Sequence, residues 1–329
     1  MRFAPFVDSL GGEGAEAWEI LTESRAAQAR GEDVIILSIG DPDFETPAFV
    51  VDAAVEALRL GDTHYTELEG RSSLRAAIAE KMSLTSGVGI GPERVTVLAG
   101  AQNAFYSTCR CLFGPGDEVV VLDPAYVTYE ACIASTGATQ VRVPQPACSG
   151  FRPDIDQLGA SITSATRGIV FANPSNPTGV RFTGDELNAI ADIAIRNDLW
   201  VLVDEVYSDL VFDGVYQSIA GLPGMLERTV TVSSVSKSYA MTGWRCGWAV
   251  GPPTLMHHLR RMTLITLYGL PGFVMEAANV AIREGSEEVA RARETYRRRR
   301  DLVLEILAQA RNLPTLVPEA GMFLMADVR

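Results

Sequence analysis

The residues best suited to chemistry lie in Ser233-Ser234-Val235-Ser236-Lys237-Ser238 and the following stretch to Arg245. Partial burial disfavours an ammonium ion, so a lysine in such a loop can lose its proton and attack a carbonyl. The hydroxyls and Arg245, eight residues beyond Lys237, offer a grip for a phosphate. A carbonyl trap beside an anion site suits a carbonyl cofactor with a phosphate tail. Taken alone, a lysine among serines is also an ordinary loop lysine.

Other chemistry-bearing residues follow short apolar runs. Ala99-Gly100-Ala101-Gln102 is a small-residue turn opening a helix, where free N–H groups attract anions. Tyr126, in Asp123-Pro124-Ala125-Tyr126, offers a flat face for a heterocycle. Asn173-Pro174-Ser175-Asn176-Pro177-Thr178-Gly179 is a stiff loop presenting Asn176. Asp204 ends a very apolar run, where a carboxylate is costly unless paired, and Tyr207 follows it. Each of these has an ordinary packing reading. Together they supply a phosphate turn, a ring stacker, an amide, a carboxylate, a phenol and a lysine, the set that pyridoxal 5′-phosphate (PLP) requires.

Alternating strands and helices must position them. The spacing predicts strands at 34–37, 95–98, 118–122, 140–143, 168–172, 199–203, 229–232 and 246–250, with a strand-like run at 322–326. Amphipathic helices are expected at 48–60, 74–82, 101–112 and 184–197, and a long one over 286–311 with Leu302, Val303, Ile306 and Leu307 inward. Thr46-Pro47 reads as an N-cap with proline in the first helical position, Gly61 as the stop, and Thr183 with Glu186 as a capping box. This alternation implies an α/β fold with a mostly parallel sheet, whose ligands lie beyond the strands' carboxyl ends.

The chain has 329 residues, 47% of them hydrophobic and 21% charged, enough for a large core and a smaller domain. A net charge of −13 disfavours nucleic-acid binding. Three histidines and five cysteines without framework spacing argue against a metal site or a disulfide scaffold. Residues 1–18 have no apolar signal core, so a cytoplasmic protein without membrane association is expected.

These segments, with Gly40-Asp41-Pro42-Asp43-Phe44, resemble the class I/II aminotransferases, PLP-dependent enzymes of fold type I. The resemblance implies that Lys237 is the Schiff-base lysine, Asp204 the partner of the pyridine nitrogen, and Asn176 and Tyr207 the donors to the phenolic oxygen. Tyr126 would stack on the ring, and Gly100, Ala101, Gln102, Ser234 and Arg245 would hold the phosphate. Tyr65 would reach the phosphate of a neighbouring subunit in a homodimer. Gly40, Tyr126 and Asn176 would lie against the substrate. The implied domains are an N-terminal arm and part of a small domain (1–45), a large PLP-binding domain (46–284) and a C-terminal part of the small α/β domain (285–329).

A narrower resemblance, to arginine–pyruvate transaminases, rests on Ala99 to Gln102, Asp204 to Ser208, Leu267-Tyr268-Gly269, Tyr296 to Asp301 and Gly321-Met322-Phe323. It implies arginine as donor and pyruvate as acceptor. A carbon–sulfur β-lyase uses the same cofactor residues and stays open, as does a PLP-binding regulator, for which the acidic chain lacks a basic DNA-binding segment. Gly12-Glu13-Gly14-Ala15-Glu16-Ala17 formally matches a dinucleotide fingerprint, but no strand precedes it. The family's substrate-carboxylate arginine belongs beyond the position matching 322–329, so the small domain is expected to be incomplete and Arg329 is no substitute.

Overall fold

The computed structural model describes residues 1–3, 7, 15–310 and 313–328, with side chains in the first helix from 19 onward. The Gly12-Glu13-Gly14 match, Arg311 and Arg329 lie outside the described residues.

Seven strands form one sheet: β1 (Val95–Leu98), β2 (Glu118–Asp123), β3 (Thr139–Pro144), β4 (Thr166–Ala172), β5 (Trp200–Asp204), β6 (Thr229–Ser234) and β7 (Gly247–Val250). Their order is β1-β7-β6-β5-β4-β2-β3. β7 runs antiparallel to both of its neighbours, and the other pairings are parallel. The helices are α1 (Ala15–Ala29), α2 (Ala48–Arg59), α3 (Ser72–Ser86), α4 (Gly100–Leu112), α5 (Tyr129–Ala134), α6 (Ile155–Ala160), α7 (Gly184–Arg196), α8 (Pro253–Thr266), α9 (Gly272–Glu284) and α10 (Ser286–Leu307).

Alternate strand residues bury on opposite faces. Val170, Leu202, Val230 and Val232 pack with Phe105 and Cys109 of α4, Ile133 of α5 and Leu259 of α8. Ile169, Phe171, Val201 and Val203 pack with Leu187, Ile190 and Ala194 of α7. Such strands are apolar throughout because helices cover both faces. A third cluster joins Val97 and Trp248 at the β1–β7 edge to α2, α3 and α9. The capping box at Thr183 and Glu186 forms as expected. No helix among the described residues is long and apolar enough to cross a membrane.

Four expectations need correction. Residues 34–37 make no strand: Ile35 and Leu37 are 81% and 88% exposed. Thr46 does not cap α2, whose N-cap is Pro47. Its hydroxyl instead donates to the Ala240 carbonyl and accepts from Trp244 Nε1, tying the chain before α2 to the Lys237 loop. Residues 322–326 form only a single bridge, between Ala326 and Thr315. On α10, Leu302, Val303 and Ile306 are exposed, because the packed part of that helix is its first half, through Val289 and Tyr296.

Candidate active site

β4, β5 and β6 run parallel, with Asp204 in register with Ala172 on one side and Val232 on the other. Their following loops therefore open on one rim. This rim brings Asn176, Asp204, Tyr207 and Lys237 into one region.

The Asp204 carboxylate is buried. Its Oδ1 accepts from the Val206 N–H at 3.1 Å and its Oδ2 from the Tyr129 hydroxyl at 2.8 Å. Burial pushes the carboxyl up to about 6, against those two hydrogen bonds and the charge of Lys237. Both hydrogen-bond donors are neutral, so the site is suited to receive a cation. Tyr129 lies three residues beyond Tyr126 and was missed in the sequence. Its ring stacks on Phe105 with centroids 4.2 Å apart, and burial raises its pKa far enough to keep the hydroxyl a donor. A second aromatic three residues after Tyr126 was the available signal.

Lys237 is half-buried, and its Nζ donates to the Gly40 carbonyl. Burial lowers its pKa, Asp41 pulls it back up, Arg245 lowers it again, and Asp204 opposes that. Asp41 is held nearby by the Thr242 hydroxyl at 2.7 Å, another contact that local pattern did not reveal.

The anion grip is also assembled. No side chain caps the first turn of α4, leaving its N–H groups available. Gly100 stands at φ +82°, and a methyl group there would lie 2.5 Å from Arg245 Nη2. A methyl on Gly247 would lie 2.5 Å from the Gly100 carbonyl carbon. Glycine at both positions lets β7, α4 and the guanidinium converge. Arg245 is oriented by its bond to the Thr242 carbonyl at 2.7 Å. Ser234 is buried at the end of β6. The Gln102 side chain is engaged with Cys132 and Thr128, so its backbone is the part left for a ligand.

Tyr207 is buried, its ring edge-on to Phe323 and its hydroxyl interacting with the Asn176 side chain. Burial raises its pKa well above that of an ordinary phenol, so it remains a donor. Tyr126 is half-buried, its ring edge-on to that of Tyr129 with centroids 5.8 Å apart. Tyr65 stands apart from this constellation: it is 85% exposed, and its ring meets Tyr268 at 4.7 Å.

The geometry fits PLP: an uncapped helix start beside an arginine, a buried carboxylate whose two hydrogen-bond donors are neutral, and a lysine of lowered pKa. Comparison with known proteins agrees. Residues 32–329 match the family described as aminotransferase class I and II. The chain is 46% identical over 329 residues to the arginine–pyruvate transaminase AruH of Pseudomonas aeruginosa, covering 100% of this chain and 84% of that protein. It is 35% identical over 312 residues to an aspartate/prephenate aminotransferase of Cereibacter sphaeroides, covering 94% of this chain and 78% of that protein. An aspartate aminotransferase structure from Thermus thermophilus with maleate superposes with a TM-score of 0.95 at 32% identity, covering 99% of this chain and 85% of the other. The chain belongs to the class I and II aminotransferases, and is a PLP-dependent transaminase of fold type I.

Proposed function

We propose that Lys237, Asp204 and Tyr207 are the catalytic residues, and that the amino group moves from arginine to pyruvate. The observation that carries the site assignment is the pairing of β5 and β6, which sets a buried carboxylate beside a lysine of lowered pKa. Identity of 46% over the whole chain to an arginine–pyruvate transaminase supports the substrates. The net charge of −13 favours approach of a cationic amino acid, within a screening length of about 8 Å in physiological salt.

PLP, when bound, supplies an electrophilic carbon for the amino group and a ring that disperses the electrons left by the α-proton. Lys237 Nζ, unprotonated more readily than a surface lysine, would take up and give back the substrate's α-proton. Asp204 would hold a proton on the ring nitrogen. Tyr207 and Asn176 would donate to the ring oxygen, and Tyr126 would cover the ring face. The α4 start (Gly100, Ala101 and Gln102), Ser234 and Arg245 fix the phosphate, while Gly40, Tyr126 and Asn176 bound the substrate space.

The proposal extends to assembly. Tyr65 and Tyr268 meet at an exposed surface, and Leu60 and Ile265, near them in sequence, are also exposed, apolar surface suited to a second copy of the chain. In that homodimer Tyr65 serves the neighbouring site. The domain division at residues 45 and 284 and a cytoplasmic location belong to the same reading.

Incubating PLP-loaded protein with arginine and pyruvate should yield alanine and the 2-oxo acid of arginine. Alanine from other donors but not from arginine would overturn the substrate assignment and leave the class intact. Light scattering tests the dimer.

A further inference from the structure

A partly buried cation joins the two loops that carry Lys237 and Tyr207. Lys81 lies on α3, anchored by Leu74, Ile78 and Met82 in the core. Its Nζ donates to both carboxylate oxygens of Asp209, at 2.7 and 2.8 Å. The two side chains keep only 20% and 21% of their exposure. The same Nζ lies 5.8 Å from the centre of the Tyr239 ring and interacts with its hydroxyl. Asp209 comes two residues after Tyr207, and Tyr239 two residues after Lys237. Lys81 thus meets one residue of each loop, in each case two residues beyond the one assigned to the site.

Burial disfavours the ammonium form, but Asp209 and Tyr239 outweigh it and raise the pKa, so the cation persists. A buried ion pair adds little stability over an apolar pair of the same volume. An ammonium nevertheless has donors that fix the spacing of several acceptors at once, which an apolar contact does not. We propose that Lys81 is a positioning residue for the transamination reaction, setting the Lys237 loop against the Asp204–Tyr207 loop through Tyr239 and Asp209. This rests on the assignment of Lys237 and Asp204 made above.

Three variants test it. Tyr239→Phe removes only the hydroxyl. Lys81→Met combined with Asp209→Leu removes both charges and leaves no unpaired ion. Lys81→Arg keeps a cation. Each is measured for thermal midpoint, PLP dissociation constant, kcat and KM separately, and the pH at which the visible absorbance of the PLP-loaded protein changes.

The double variant should fold, bind PLP more weakly, shift the absorbance midpoint and lose about 10–100-fold in kcat, the scale of a displacement near 1 Å. Tyr239→Phe should move the same quantities less, and Lys81→Arg should restore part of the loss. Should the double variant not fold, Tyr239→Phe decides. A change confined to thermal midpoint, with PLP affinity, absorbance midpoint and kcat as in the wild type, overturns the positioning role. Borohydride reduction of the wild-type holoenzyme followed by peptide mapping separates the two readings. Label on Lys237 with unaffected variants sinks the role of Lys81 alone, and label on another lysine sinks the site assignment beneath it.

Discussion

The Tyr129 hydroxyl donates to Asp204 Oδ2 at 2.8 Å, joining the buried first residue of α5, which follows β2, to the buried last residue of β5. It leaves the carboxylate one fixed direction and orients it without adding a charge. Tyr129→Phe keeps the stack on Phe105 and deletes this bond. A hydrogen bond to a charged group contributes about 1.5–3 kcal/mol. PLP affinity and kcat should both fall by about tenfold or more. Wild-type values in a fluorescence titration and a steady-state assay would mean that the Val206 N–H suffices.

On the proposed assignment, Asp204→Ala would leave the ring nitrogen of the bound cofactor without its counter-ion. Removing one partner of a buried pair costs about 3–5 kcal/mol. The variant should lose most of its turnover even when saturated with PLP, and single-turnover kinetics at saturating cofactor measure this directly. Near-normal turnover would assign the part to another group.

Glu205, next in sequence, is fully buried, with Oε1 accepting from the Ser218 hydroxyl at 2.6 Å. Burial pushes its carboxyl up to about 7. A raised folded-state pKa means the folded chain holds the proton more tightly than the unfolded one. Stability should therefore fall as pH rises from the ordinary glutamate range to about 7, on the order of 3 kcal/mol for this group. Glu205→Gln cannot ionise and should flatten that part of the profile. Urea unfolding of the cofactor-free protein at pH 5 and 7.5, conditions chosen to bracket much of the change, is the check. Equal slopes for variant and wild type would contradict it.

Gly100→Ala places a methyl where Arg245 Nη2 stands, at a φ of +82°. The backbone strain alone costs about 1–3 kcal/mol. PLP and inorganic phosphate should both bind more weakly, by similar factors, because the damage is to the anion grip. Competition of phosphate against PLP measures both, and a loss of PLP affinity with phosphate unaffected would place the tail elsewhere.

Much of the fold and the site was readable from local pattern. Seven apolar runs became the seven strands, and the polar residues after them converged because parallel strands end on one rim. Lys237, Asp204, Asn176 and Tyr207 lie in one region for that reason. Where the same pattern misled, apolarity does not specify a partner: Ile35 and Leu37 in 34–37, and Leu302, Val303 and Ile306 in the second half of α10, stay largely or half exposed. An apolar run records a tendency to be buried, not the partner that buries it. Tyr129 beneath Asp204, and Lys81 holding Asp209 across 128 residues of chain, were decided by tertiary structure alone. Hydrophobic periodicity is a property of neighbours in sequence, whereas the direction of a buried hydrogen bond depends on which distant elements the packed core brings within 3 Å.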